Sequence, residues 1–145
     1  MHPYAHCQAS HAEIRKEIFS DGVEHWYVVS SPNSSSYLWQ MLQQICDVVF
    51  SKKAQPFGRS IAFLVGVGRY HNLPTQLETS VPNDLIEMRN LLLNDMAFDE
   101  VYVAKDDVVN RDRVEEYVKD RIGSHASKDD RLFFYYTGHG GDNQG

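Results

Sequence analysis

The most constraining feature is the run SIAFLVGVG at residues 60–68. It is continuously apolar, rich in β-branched residues and closed by glycines, which is how a strand covered on both faces reads. A strand with two covered faces needs partners on both sides and helices above and below, so the rest of the chain must supply them. The next segment, VPNDLIEMRNLLLNDM, places Leu85, Met88 and Leu92 on one helical face. Pro82 suits a first turn, and Asp84 and Glu87 are expected to favour the positive end of the helix dipole. DEVYVAKD then reads as a second strand. Asn110 can cap a helix whose Val114, Tyr117, Val118 and Ile122 face inward, and RLFFYYTG follows as a third strand. Strand, helix, strand, helix, strand predicts an α/β fold: an open, mainly parallel sheet with flanking helices and right-handed crossovers.

On such a sheet, reacting groups gather where loops leave the carboxyl ends of the strands. Three loops qualify: the one after Gly66 and Gly68, the one around Asp106 and Asp107, and the one holding Gly138 to Gly141. The first is a poor dinucleotide fingerprint, because about a dozen residues separate GVG from the helix and no third glycine opens it. Its glycines let the chain leave the sheet sharply, with Tyr70 packing on the rim. The third loop, TGHGG, is sharper. His139 stands immediately beyond a buried strand, and an imidazole has the right pKa for proton exchange near neutrality. Gly140 can bring its backbone N–H close to a developing oxyanion. A histidine in a glycine turn is by itself an ordinary loop residue, and the other six histidines are read as exposed or locally hydrogen-bonded.

Composition excludes several classes of partner. The net charge is −6 and no stripe of Lys and Arg is present, so nucleic acid is not expected. No run approaches the ~20 apolar residues that cross a bilayer, and the N-terminus has no signal-peptide core, so a soluble, cytoplasmic protein is expected. The two cysteines, Cys7 and Cys46, have no metal-ligand spacing, and no metal or other cofactor is indicated. Residues 1–57 read as an unassigned extension and 58–145 as the sheet-forming domain. Within the extension EHWYVVSS suits a strand, YLWQMLQQICDVVF a short amphipathic helix, and Trp26, Tyr27, Trp39 and Phe50 buried aromatics.

From Ser60 to Gly145 the chain resembles the large-subunit half of the caspase-like cysteine peptidases, which include caspases, metacaspases and paracaspases. The resemblance is carried, in order and spacing, by IAFLVGVGRY, VPNDLIEMRNLL, FDEVYVAKDD and DDRLFFYYTGHGG. LVGVGRY and the Asn83–Asp84 pair are closest to the bacterial, plant and fungal branches. The resemblance implies a caspase-haemoglobinase-like sheet, incomplete on its C-terminal side, and peptide-bond hydrolysis by a Cys–His dyad. It makes His139 the dyad histidine, Gly140 an oxyanion-hole donor and Asp84 a wall of the S1 pocket. No arginine lies between Arg69 and Arg89, whereas Glu78 and Asp84 are acidic, so cleavage after Arg or Lys is expected.

In this clan the nucleophile follows the histidine by ~50 residues, at the end of the next strand. This sequence ends at Gly145, and neither Cys7 nor Cys46 falls at that position. The chain is therefore expected to be inactive alone: a fragment, a subunit completed by a second polypeptide or by self-association, or a pseudo-enzyme kept as an interaction module. An esterase with an HGG oxyanion loop would need a later GxSxG elbow, and none is present.

Overall fold

The computed structural model describes residues 12–30, 57–72 and 77–140. The helix expected over 37–50, both cysteines, Trp39, Phe50 and the serine run lie outside them. The described residues form one five-stranded sheet: β1 Ala12–Ile18, β2 Glu24–Ser30, β3 Ser60–Gly66, β4 Glu100–Lys105 and β5 Arg131–Thr137, in the order β1-β2-β4-β3-β5. β3 pairs in parallel with β4 and with β5, the two crossovers the sequence pattern requires. β1 and β2 form an antiparallel hairpin, and β2 pairs antiparallel with β4. The sheet is thus mixed and open, with five described strands: the three apolar runs, EHWYVVSS as the strand its sequence suits, and β1, which was not read as a strand.

Alternation along β3 builds two cores. Ala62 and Leu64 face one side with Val101 and Val103 of β4, while Ile61, Phe63 and Val65 face the other with Ala104. Every residue of β3 is buried, as its unbroken apolar run demands. Helix α1, Ser80–Asn90, covers the first face with Val81 and Leu85 and continues as a wider π-helical turn, Leu91–Asp95, that buries Leu92 and Leu93. Gly66 is required there, since a Cβ on it would stand 2.6 Å from Leu85 Cδ1 and 2.8 Å from Val81 Cγ1. The second face is covered by α2, Arg111–Glu116, and its π-helical continuation Tyr117–Ile122. Asn110 caps α2 as expected, its Oδ1 accepting from the Arg113 N–H at 2.8 Å. Tyr117 is fully buried against Phe63, with ring centroids 5.3 Å apart.

Two helix readings are corrected. Val118 was expected inward but is 47% exposed. The wide turn that begins at Tyr117 breaks the 3.6-residue phase on which the reading relied. Helix α1 starts at Ser80, one residue before the apolar pattern begins, and has no acidic residue in its first turn. Asp84 therefore sits in the second turn, beyond the strong part of the dipole, and must be explained otherwise.

The hairpin is fastened to the second face. Asp21, in its turn, accepts from the Val23 N–H at 3.0 Å, from Arg113 Nη1 at 3.0 Å and from the Tyr117 hydroxyl at 2.8 Å. Burial pushes the Asp21 carboxyl up, but these bonds and the Arg113 charge outweigh it and hold the pKa below its ordinary value. His25, read from sequence as exposed or locally hydrogen-bonded, pairs with Glu17 at 2.8 Å but is only 14% exposed, and stacks on Tyr102 at 4.5 Å and on Tyr27 at 4.8 Å. Among the described residues no helix is long and apolar enough to cross a membrane.

Candidate active site

The carboxyl ends of β3, β4 and β5 lie side by side, and the loops that leave them are tied together by main-chain groups. The last rung between β3 and β5 is the Val67 N–H donating to the Thr137 carbonyl at 3.0 Å. Beyond β4 the chain turns at Asp106, with φ +51, and its carboxylate Oδ1 accepts from the N–H groups of Gly68 at 2.9 Å and Arg69 at 3.0 Å. The Leu77 N–H returns to the Gly68 carbonyl at 2.9 Å, fixing the path toward α1.

His139 follows β5 by one glycine, at the edge where the sequence places it, and is half-buried. Its backbone N–H donates to the Tyr70 hydroxyl at 2.6 Å, and its carbonyl accepts from the Tyr136 hydroxyl at 3.2 Å. The Tyr70 ring meets the imidazole edge-on, with centroids 4.8 Å apart and planes at 64°. Tyr136 is hydrogen-bonded to Tyr70; that bond, with burial, pushes its pKa up to about 12.

Gly138 makes room for this arrangement. Its φ is +156, and a Cβ on it would stand 2.6 Å from both tyrosine hydroxyls. Gly140 is exposed, and among the described residues nothing stands within 4 Å of the position a Cβ would take. An open approach to that backbone is what a bound carbonyl oxygen needs.

Asp84 reaches the same edge from α1. Its Oδ2 accepts from Thr137 Oγ1 at 2.9 Å, which places the carboxylate beside the last residue of β5. The fold thus brings together a half-buried imidazole, an accessible glycine backbone and a partly buried carboxylate. An imidazole there can move a proton, and a carboxylate there can receive a cationic side chain. Sequence reasoning missed the roles of Tyr136 and of Tyr70's hydroxyl. The available signal was two tyrosines adjoining GVG and TGHG, since a partly buried Tyr hydroxyl generally finds a partner. Among the described residues no group of three His, Cys, Asp or Glu side chains could hold a metal ion.

No curated protein and no solved structure gives a significant match to the chain. The family model for the caspase domain of peptidase C14 matches residues 59–145, more than half of the sequence and the whole of the region that carries β3, α1, β4, α2, β5 and His139. The chain belongs to the caspase-domain family, peptidase C14.

Proposed function

We propose that this chain supplies the base half of a cysteine endopeptidase of the metacaspase type. His139 is its general base and acid, Gly140 an oxyanion donor, and Asp84 the carboxylate that selects Arg or Lys at P1. The observation that carries the reading is the position of His139: two residues beyond the carboxyl end of β5, within the matched caspase domain, on the edge Asp84 also reaches.

In the chemistry this implies, the imidazole takes the thiol proton as sulfur attacks the scissile carbonyl, and returns it to the leaving amine when the C–N bond breaks. Water then releases the acyl group. The thiol is expected on a strand that pairs with β5, which ends the described sheet, in the same polypeptide or in a second one. Neither Cys7 nor Cys46 takes that role, so the residues 1–145 have no turnover by themselves. The scarcity of cysteine suits a cytosolic setting.

Fluorogenic peptides with Arg, Lys or Asp at P1, together with a thiol-reactive probe, test the proposal on this chain and on the protein carrying the thiol strand. Turnover only in the latter, with Arg or Lys preferred, supports it. Turnover by residues 1–145 that Cys46→Ala abolishes refutes it.

One observation favours an interaction module instead. On β5 Leu132 and Phe134 are 55% and 53% exposed, an apolar face at the end of the described sheet that a partner could cover without chemistry. A thiol-bearing protein that binds peptides without cleaving them would establish that reading.

A further inference from the structure

We infer that Tyr70 and Tyr136 form a clamp on the main chain of His139 and are positioning residues for its imidazole; this rests on His139 acting as the base. The β3–β5 ladder ends at the Thr137 carbonyl, so residues 138–140 lie past the last backbone rung. Two of those three are glycines, the residues with most freedom to lose. A base on so permissive a segment would sample many positions, and misplacement by about an ångström costs on the order of a hundredfold in rate.

The structure resolves this with side chains. The N–H of His139 is taken by Tyr70, from the loop after β3, and its carbonyl by Tyr136, from β5. The two hydroxyls are bonded to each other, and the missing Cβ of Gly138 lets them meet beneath the turn. The edge-on Tyr70 ring limits the swing of the imidazole from the side.

Tyr70 is itself held. Asp106 grips the two preceding peptide N–H groups, and the Gly68 carbonyl is bonded to Leu77, three residues before α1 begins. The loop that leads to Asp84 and the segment that carries the base therefore share one anchor. A shift in this loop moves the pocket wall and the imidazole together. A hydroxyl is essential and an aromatic ring alone is not enough, because only the hydroxyl meets the peptide N–H.

Tyr70→Phe keeps the ring and removes the acceptor. In amide hydrogen exchange by NMR on residues 1–145, it is expected to speed exchange at His139 by about five- to tenfold, the loss of one hydrogen bond. The amides of Phe133 to Tyr135 should be unchanged. Tyr136→Phe should act in the same direction more weakly. In the protein carrying the thiol, Tyr70→Phe should lower kcat about tenfold at unchanged KM, and have no further effect on a His139→Ala background. Unchanged exchange at His139, or equal acceleration along all of β5, would overturn the clamp. Selective exchange with unaltered kcat would overturn its positioning role. Absence of turnover in the thiol-bearing wild type would refute the peptidase reading and this role with it, while the exchange result would still decide whether the clamp exists.

Discussion

The Thr137 hydroxyl donates to the Asp84 carboxylate at 2.9 Å, so the residue that ends β5 and a residue in the second turn of α1 are held together where His139 emerges. This gives Asp84 a structural duty that can be separated from the charge recognition proposed for it. Asp84→Asn keeps an acceptor for Thr137 and removes the charge. It should leave chemical-denaturation stability within about 1 kcal/mol of wild type. In the thiol-bearing protein it should lower kcat/KM for P1-Arg over P1-Asp peptides by about tenfold or more. Thr137→Val should do the reverse, costing about 1–2 kcal/mol of stability and leaving the sign of P1 preference intact.

The same logic applies to the hairpin, which Asp21 joins to α2 through Arg113 and to its π-helical continuation through the buried Tyr117 hydroxyl. Asp21→Ala leaves that hydroxyl without its acceptor and should cost about 2–3 kcal/mol in urea unfolding. Asp21→Asn, which can still accept from Tyr117, should cost less. Equal stability of the alanine variant and wild type would show that the hairpin docks by backbone pairing alone.

His25 gives the protein a pH dependence whose sign follows from its neighbours. Burial disfavours the charged imidazole. Glu17, 2.8 Å from Nδ1, and Glu100, at an ion-pair distance of 3.6 Å from Nε2, outweigh it and raise the pKa above its ordinary value. Arg59 and the Tyr102 hydroxyl also face Glu100, whose pKa is lowered chiefly by His25. A raised histidine contributes stability that is complete below about pH 6.5 and is lost as pH rises through its folded-state value. The lowered Glu100 contributes stability above about pH 4.3 that is lost as pH falls. Thermal melts should therefore weaken from pH 6.5 upward, and His25→Gln should flatten that decline. A variant that keeps the full alkaline decline would place its origin elsewhere.

The parts legible in the sequence are those in which one local pattern determines the structure. β3 is buried on both faces, so its apolar run leaves little choice, and the Asn110 cap needs only its own helix. β1 is different. Its sequence AEIRKEI offers only Ala12, Ile14 and Ile18 on one face, interrupted by Lys16, because the strand lies at the edge of the described sheet with its described side chains exposed, and it is held by backbone pairing to β2. Val118 was misread because a π-helical turn shifts the phase, which no periodicity count reveals. His139 was legible through its strand and its glycines. The tyrosine clamp was not, because Tyr70 and Tyr136 meet only after β3 and β5 have paired.

β5 closes one end of the described sheet, and Leu132, Phe134 and Tyr136 stand exposed along one of its faces. Residues 1–145 should therefore self-associate in a concentration-dependent way on size-exclusion chromatography. Phe134→Lys should shift the population toward monomer without lowering the melting temperature by more than a few degrees. A sharp monomer at every concentration for the wild-type chain would remove this expectation.

The central claim is that His139 is the base of a cysteine peptidase. Its most direct measurement is kcat/KM for a P1-Arg fluorogenic peptide in the protein that carries both this imidazole and the thiol strand, compared with its His139→Ala variant, with both shown to be folded. Loss of a general base is expected to lower the value by about a hundred- to ten-thousandfold, with KM little changed. Turnover by the alanine variant at the wild-type rate would contradict the account.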